Sequence, residues 1–228
     1  MPRQRQGRIL EIEEGGTLNI NPAASFIFVV DDDPRVREAL CGLLESAGFR
    51  TAAFESAAAF LKFEKPDCPS CLILDLELPD INGLEVQQQL SGVDGPPIVF
   101  VTGHGDVPSS VQAMKSGAVE FLLKPVRKQE LMKAIAEALE RDEVARSVRF
   151  TVAELRKRYN ALTPREQEVL PLVVAGFANK QTAAELGNSV FTVAIQRGQI
   201  MQKMGARSLA ELIRMADKLG VARRDPPQ

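Results

Sequence analysis

Apolar residues in the first half of the chain come in short unbroken runs rather than in alternation. Phe26–Val30, Cys71–Leu74, Pro97–Val101 and Val119–Leu123 are such runs. This is the pattern of strands buried on both faces of a parallel sheet. Phe49–Phe54 reads as a further strand. Between the runs the apolar spacing changes to three and four. After Pro34 it gives Val36, Leu40, Leu43 and Leu44, closed by Gly48. Ser56 caps a short alanine-rich helix from Ala57 to about Phe63. Helices follow over Leu84–Leu90, over Val107–Lys115 with Gly117 at its end, and from Lys128 with Leu131, Ile135 and Leu139 on one side. Five strand-helix units predict an α/β fold, a doubly wound five-stranded parallel sheet over about 25–140.

The pattern then becomes purely helical. No Gly or Pro interrupts Glu130–Tyr159, and Val144, Val148, Val152 and Leu155 extend the helical spacing. Residues 141–159 therefore read as a largely helical linker. It is either one long helix that pairs with its copy or two helices separated near Arg149-Phe150-Thr151. The poor helix propensity of Phe150-Thr151-Val152 favours the break. Over 160–224 four short helices are expected. Thr163-Pro164-Arg165-Glu166 is a capping box with Pro at the first helical position, opening a helix to about Ala175 in which Pro171 removes one backbone bond. Asn179 caps a second helix that ends at Gly187, and Ser189 caps a third, Val190–Met204, closed by Gly205. A second capping box, Ser208 to Glu211, opens a fourth helix to about Leu219. Two middle helices joined by a tight turn with Gly suggest a helix-turn-helix within a small all-α four-helix domain.

The strand ends carry the chemistry. The runs end in Asp31-Asp32-Asp33, in Asp75, in Thr102 and in Lys124. In a parallel sheet these ends gather on one edge, where open α/β sheets bind ligands. Gathered carboxylates favour a divalent cation, and hard oxygens suit Mg²⁺. A lysine and a hydroxyl opposite them suit phosphoryl oxygens.

This set of residues, in this order and spacing, resembles the flavodoxin-like receiver domain of two-component response regulators over about Ser25–Glu140. The resemblance implies that Asp75 accepts a phosphoryl group from a sensor histidine kinase. It also implies that Asp32 binds Mg²⁺ (or Mn²⁺) directly, Asp31 holds it through water, and Asp75 and the Glu77 backbone carbonyl complete the ligands. Thr102 and Lys124 would engage the phosphoryl oxygens, and Phe121, with Thr102, occupies the switch position. In the second half, LTPREQEVL (Leu162–Leu170), NKQTAAELGNSVFTV (Asn179–Val193) and QIMQKMGARS (Gln199–Ser208) resemble the LuxR-type DNA-binding domain. Together they are the FixJ/NarL arrangement, and TGHGDVP (Thr102–Pro108) resembles the FixJ branch. The implied contacts to promoter DNA are Lys180 and Lys203 to phosphates, and Thr192, Ala194, Ile195, Gln196 and Arg197 near bases. The resemblance further implies homodimerisation on phosphorylation through the fourth helix, fifth strand and fifth helix, with RNA polymerase as a further partner. It implies no enzyme activity beyond the receiver's own phosphoryl transfer and slow dephosphorylation.

Charge sharpens the division. Residues 25–140 carry 10 Lys+Arg and 18 Asp+Glu, whereas 141–228 carry 15 and 9. An acidic half followed by a basic half suits different partners, the second a polyanion. Residues 1–24, a flexible extension by composition, hold three arginines offset by Glu11, Glu13 and Glu14. Residues 225–228 form a tail. No apolar run has the length of a membrane span and no apolar stretch follows the N-terminal arginines, so a cytoplasmic protein is expected.

Seven positions depart from the resemblance or add to it. Ala194 and Gln196 replace residues that relatives often carry as charged or histidine side chains, and Gly198 lies in mid-helix. Ala194 and Ile195 suit thymine methyls, and Gln196 or Arg197 a purine edge. Glu77 follows the acceptor where relatives are uncharged or basic, so its charge is expected to slow phosphate arrival or alter metal affinity. His104, the one histidine, is placed to tune loss of the phosphoryl group or simply to face solvent. Cys68 and Cys71 form a C-x-x-C ahead of a strand rather than at a helix start. Two reduced thiols are the expectation and redox input the rival reading. An aspartyl-phosphate phosphatase with Glu77 as second acid is the other rival, and the second domain gives it no use.

Overall fold

The computed structural model describes residues 21–91, 95–103 and 105–221. His104, most of the N-terminal extension and the tail 225–228 lie outside the described residues. The chain divides into two units, with the boundary between Ala145 and Arg146.

In the first unit the strands are β1 (Phe26–Val30), β2 (Arg50–Phe54), β3 (Ser70–Leu74), β4 (Ile98–Thr102) and β5 (Glu120–Leu123). They pair in the order β2-β1-β3-β4-β5, parallel throughout. The helices between them are α1 (Pro34–Ser46), α2 (Ala57–Lys62), α3 (Gly83–Leu90) and α4 (Val107–Lys115), followed by α5 (Lys128–Asn160). Side chains alternate across the sheet. Ile27, Val29, Cys71, Ile73, Val99 and Val101 pack with Leu40 and Leu44 of α1 and Leu131, Ile135 and Leu139 of α5. Phe26, Phe28, Val30, Leu72, Leu74 and Phe100 pack on the other face with Phe60 of α2, Val86 of α3 and Ala113 of α4. Covering both faces is why β1, β3 and β4 are buried at every position and apolar at all but Ser70 and Thr102.

One expectation on the linker is overturned. α5 runs unbroken from Lys128 to Asn160, through Arg149-Phe150-Thr151. Propensity differences are tenths of a kcal/mol per residue, and the Thr151 hydroxyl donates to the Ser147 carbonyl (2.9 Å), a bond available only in helix. Pro22–Ala24, placed by composition in the extension, form a single 3-10 turn.

In the second unit, α6 (Pro164–Val174), α7 (Asn179–Leu186), α8 (Val190–Met204) and α9 (Leu209–Leu219) enclose a core of Val169, Leu170, Val173, Ile200, Met204, Leu212 and Ala216. Leu155, from the last turns of α5, is buried in the same core. The Thr163–Glu166 capping box is present. The start of α7 differs from the expectation: Ala178, not Asn179, is the cap, and its N–H donates to the Gln181 side chain (2.9 Å). At α9 Ser208 accepts from Glu211 N–H, but the Glu211 carboxylate reaches back to Arg207 N–H instead of closing on Ser208. Gly187 and Gly205 end α7 and α8 in the left-handed region (φ 64° and 71°), which glycine adopts without a Cβ clash.

Candidate functional site

The sheet order makes the first site. The chain leaves β1 toward β2 on one side and crosses to β3 on the other, so the carboxyl ends of β1 and β3 border an open crevice. Val30 pairs with Leu74 in register. The next residue on each strand is therefore an acid, and Asp31 and Asp75 stand side by side, both buried. Oxygens of Asp31, Asp32 and Asp75 all lie within 4.8 Å of one another. Thr102 pairs with Leu123, which sets Lys124 just beyond the sheet. Its Nζ bonds Asp31 Oδ2 and Asp75 Oδ2, each at 2.6 Å. Burial opposes the lysine's charge, but its bonds to Asp31 and Asp75 outweigh that and hold it above its ordinary value. Burial pushes the Asp31 carboxyl up, against the pull of Lys124 and of the Asp33 N–H. Three carboxylates with one ammonium leave uncompensated negative charge. Oxygen donors at this spacing fit a hard divalent cation.

Backbone geometry steadies the acids. The Asp75 N–H donates to Val30 O (2.9 Å), the Glu77 N–H reaches Asp75 Oδ1 (3.3 Å), and the Gly83 N–H donates to Leu76 O (2.8 Å). A Cβ at Gly83 would stand 2.5 Å from Asp75 O and 3.0 Å from Leu76 Cα, so α3 approaches the loop after β3 as only glycine permits. Three further contributors were not legible in the sequence. Arg37 donates to the carbonyls of Asp31 (2.7 Å) and Asp32 (2.9 Å). Asp33 caps α1 through Arg35 N–H. Asp80 accepts from Ala58 N–H (2.9 Å) and Ala57 N–H (3.4 Å), tying the loop after β3 to α2.

Thr102 is buried and its carbonyl accepts from Lys124 N–H (2.8 Å). Phe121 is half-buried, its ring centroid 6.0 Å from that of Phe100. A Cβ at Gly105 would meet the Phe121 ring at 2.8 Å, so the loop after β4 lies directly on it. Beside it Val107, Val111, Met114 and Leu123 are exposed. Glu77 is exposed at the rim of the acids.

The thiols do not form a pair. Cys71 packs on the α1/α5 face of the sheet and Cys68 on the opposite face. Burial pushes the Cys71 thiol well up, away from the reactive thiolate.

In the second unit α8 follows α7 after the Gly187-Asn188-Ser189 turn, and Ser189 caps it through Thr192 N–H (3.0 Å). Lys180, Thr192, Ala194 and Ile195 are exposed. Three other predicted contacts turn inward. Arg197 donates to Phe177 O (3.0 Å), and Lys203 pairs with the buried Glu166 at 2.7 and 3.0 Å. Gln196 Oε1 is buried. Arg197 and Lys203 thus supply donors to a buried carbonyl and a buried carboxylate of their own unit. Arg158 of α5 donates to Met204 O (3.0 Å) and Arg156 to Leu219 O (3.1 Å), so cations cap the carboxyl ends of α8 and α9.

A crevice of acids answered by a lysine, on one unit, and a helix-turn-helix on the other are the features of a receiver domain joined to a DNA-binding domain. The family model described as response regulator receiver domain matches residues 27–136, and that described as bacterial regulatory proteins, luxR family, matches 160–216. The chain is 48% identical over 210 residues to Nodulation protein W of Bradyrhizobium diazoefficiens, covering 92% of each chain. It is 38% identical over 196 residues to Transcriptional regulatory protein FixJ of the same organism, covering 86% of this chain and 96% of that one. A solved structure of response regulator StyR is 47% identical with a TM-score of 0.74, covering 86% of this chain and 100% of that chain. The chain belongs to the response regulators that join a receiver to a LuxR-type DNA-binding domain, the FixJ/NarL type. Among the described residues no helix is long and apolar enough to cross a membrane.

Proposed function

We propose that the chain is a phosphorylation-switched transcription regulator in which Asp75 accepts a phosphoryl group from a sensor histidine kinase. The observation that carries this reading is the Asp31, Asp32 and Asp75 cluster with Lys124 bonded to two of its members. Asp31, Asp32, Asp75 and the Glu77 carbonyl would hold Mg²⁺, which when bound offsets phosphoryl charge. Asp75 Oδ attacks phosphorus in line as the bond to the donor imidazole nitrogen breaks. Lys124 exchanges its Asp75 contact for a phosphoryl oxygen, and the Thr102 hydroxyl donates to another. Drawing Thr102 inward frees space for Phe121 to turn in beneath the Gly105 loop. The exposed Val107, Val111, Met114 and Leu123 belong to the α4-β5-α5 face, which then pairs with a second copy. Paired copies set two α8 helices on a two-fold promoter site. Phosphorylation acts as a population shift, so unmodified protein keeps a fraction of the activity. The working division is a receiver over 25–140, a linker over 141–159 and a DNA-binding domain over 160–224, in a cytoplasmic protein.

The test is dimerisation and promoter-DNA binding of the intact protein with and without beryllofluoride and Mg²⁺, with Asp75→Asn as control. Beryllofluoride should drive both in the wild type and neither in the variant. Tight binding unchanged in all four conditions would remove the acids as the input. At saturating Mg²⁺ the Glu77→Arg variant should take up beryllofluoride faster, and an unchanged rate would count against a role for the Glu77 charge.

A further inference from the structure

α8 spends its cations on its own domain. Arg197 and Lys203 are the only charged residues among its fifteen, and they bind Phe177 O and Glu166. The opposite side is apolar and in water. Phe191 is 76% exposed, Val190 47% and Ile195 46%. Phe191, Ala194, Ile195 and Gly198 follow one another at the three- and four-residue spacing of a single helix face. A Cβ placed on Gly198 would have nothing within 4 Å. The face therefore carries two large apolar side chains beside a flat strip at Ala194 and Gly198.

We infer that this face reads thymine, with Phe191 and Ile195 packed on C5-methyl groups in the major groove and Phe191 as a specificity-determining residue. The inference rests on α8 being the groove helix of the LuxR-type domain. The thymine methyl is the apolar group that base pairs present in the major groove, whereas the other groups there are hydrogen-bond donors and acceptors. Phe and Ile side chains offer nothing to those. Ala194 and Gly198 let the helix backbone lie close to the bases. Residues 141–228, with fifteen Lys+Arg against nine Asp+Glu, fit a phosphate backbone better than an apolar protein groove.

The experiment selects half-sites from a random duplex library with the full-length protein in beryllofluoride and Mg²⁺. Each selected thymine is then replaced by uracil, which removes only the methyl group. Wild type should lose about fourfold in affinity at each contacted thymine, the worth of one buried carbon. Phe191→Ala should abolish that loss at one position of the half-site and leave it at the others, with thermal melting unchanged because the side chain is exposed. Ile195→Ala should do the same at a different position. Half-sites whose uracil versions bind as tightly as the thymine ones would overturn the inference while leaving the DNA-binding reading intact. So would a Phe191→Ala variant that weakens every duplex equally, or one that loses self-association with duplex affinity unchanged. Failure to enrich any duplex would overturn both.

Discussion

Two glycine-to-alanine changes in the first unit should move stability in opposite directions. Gly42 lies exposed inside α1, and a Cβ there would meet nothing within 4 Å. Gly42→Ala should stabilise by about 1 kcal/mol, the propensity difference in a helix interior. Gly83 opens α3, and a Cβ there would meet Asp75 O at 2.5 Å, Leu76 Cα at 3.0 Å and the Phe100 ring at 3.0 Å. Two of these three are backbone atoms, so no side-chain rotation relieves them. Overpacking of this kind costs about 1–3 kcal/mol, and at the first turn the propensity gain is smaller than in mid-helix. Gly83→Ala should therefore destabilise by about 2 kcal/mol. At about 4 °C per kcal/mol for a unit of this size, the receiver transition should fall by about 8 °C for Gly83→Ala and rise by about 4 °C for Gly42→Ala. Scanning calorimetry of the intact protein reads both. Because the clash displaces Asp75 O, Gly83→Ala should also weaken beryllofluoride uptake, and Gly42→Ala should not. An unchanged midpoint and unchanged uptake in Gly83→Ala would refute the close approach.

Other predictions concern the second unit and the thiols. Lys203→Met leaves the buried Glu166 carboxylate with the Thr163 N–H (2.7 Å) and the Thr163 side chain to answer it. Because the Lys203 side chain is 35% exposed, the loss should be about 1–2 kcal/mol rather than the 3–5 of a fully buried pair, measured by urea denaturation. Burial would raise Glu166, but its bonds to Lys203 and Thr163 hold it below its ordinary value. Its contribution is then full above the unfolded glutamate pKa and fades as pH falls through the lower folded value. In Glu166→Gln that part of the acid-side slope should vanish. Arg158→Met should speed hydrogen exchange at Gly205 and Ala206 by loosening the end of α8, and unchanged exchange would show that the bond to Met204 O contributes nothing. A Cys68→Ala, Cys71→Ala double variant should respond to beryllofluoride as the wild type does under oxidising and reducing conditions alike, since the thiols occupy opposite faces of the sheet. A redox-dependent difference confined to the wild type would restore the thiols as an input.

The sheet and the acids were readable because their signals are local. An unbroken run such as FIFVV reports burial on both faces, and an acid after it marks the end of the strand. The glycines of the second unit and its caps at Thr163, Ser189 and Ser208 were readable for the same reason, since capping joins residues three apart, whereas the cap of α7 fell one residue earlier than expected, at Ala178. What the sequence did not determine depends on partners distant in the chain. Asp80 is an ordinary surface charge until the fold brings it to the start of α2, 22 positions earlier in the chain. The unbroken α5 was not legible because the weak propensities at Phe150 and Thr151 are only tenths of a kcal/mol, too small to stop a helix whose flanking turns are packed at Leu139 and at Leu155. The inward and outward faces of α8 also required it. Lys203 and Arg197 look like DNA ligands in sequence, but Glu166 and the Phe177 carbonyl, 37 and 20 positions earlier in the chain, bind them. Phe191, read in sequence only as part of a helix, is the residue that the packing leaves in water.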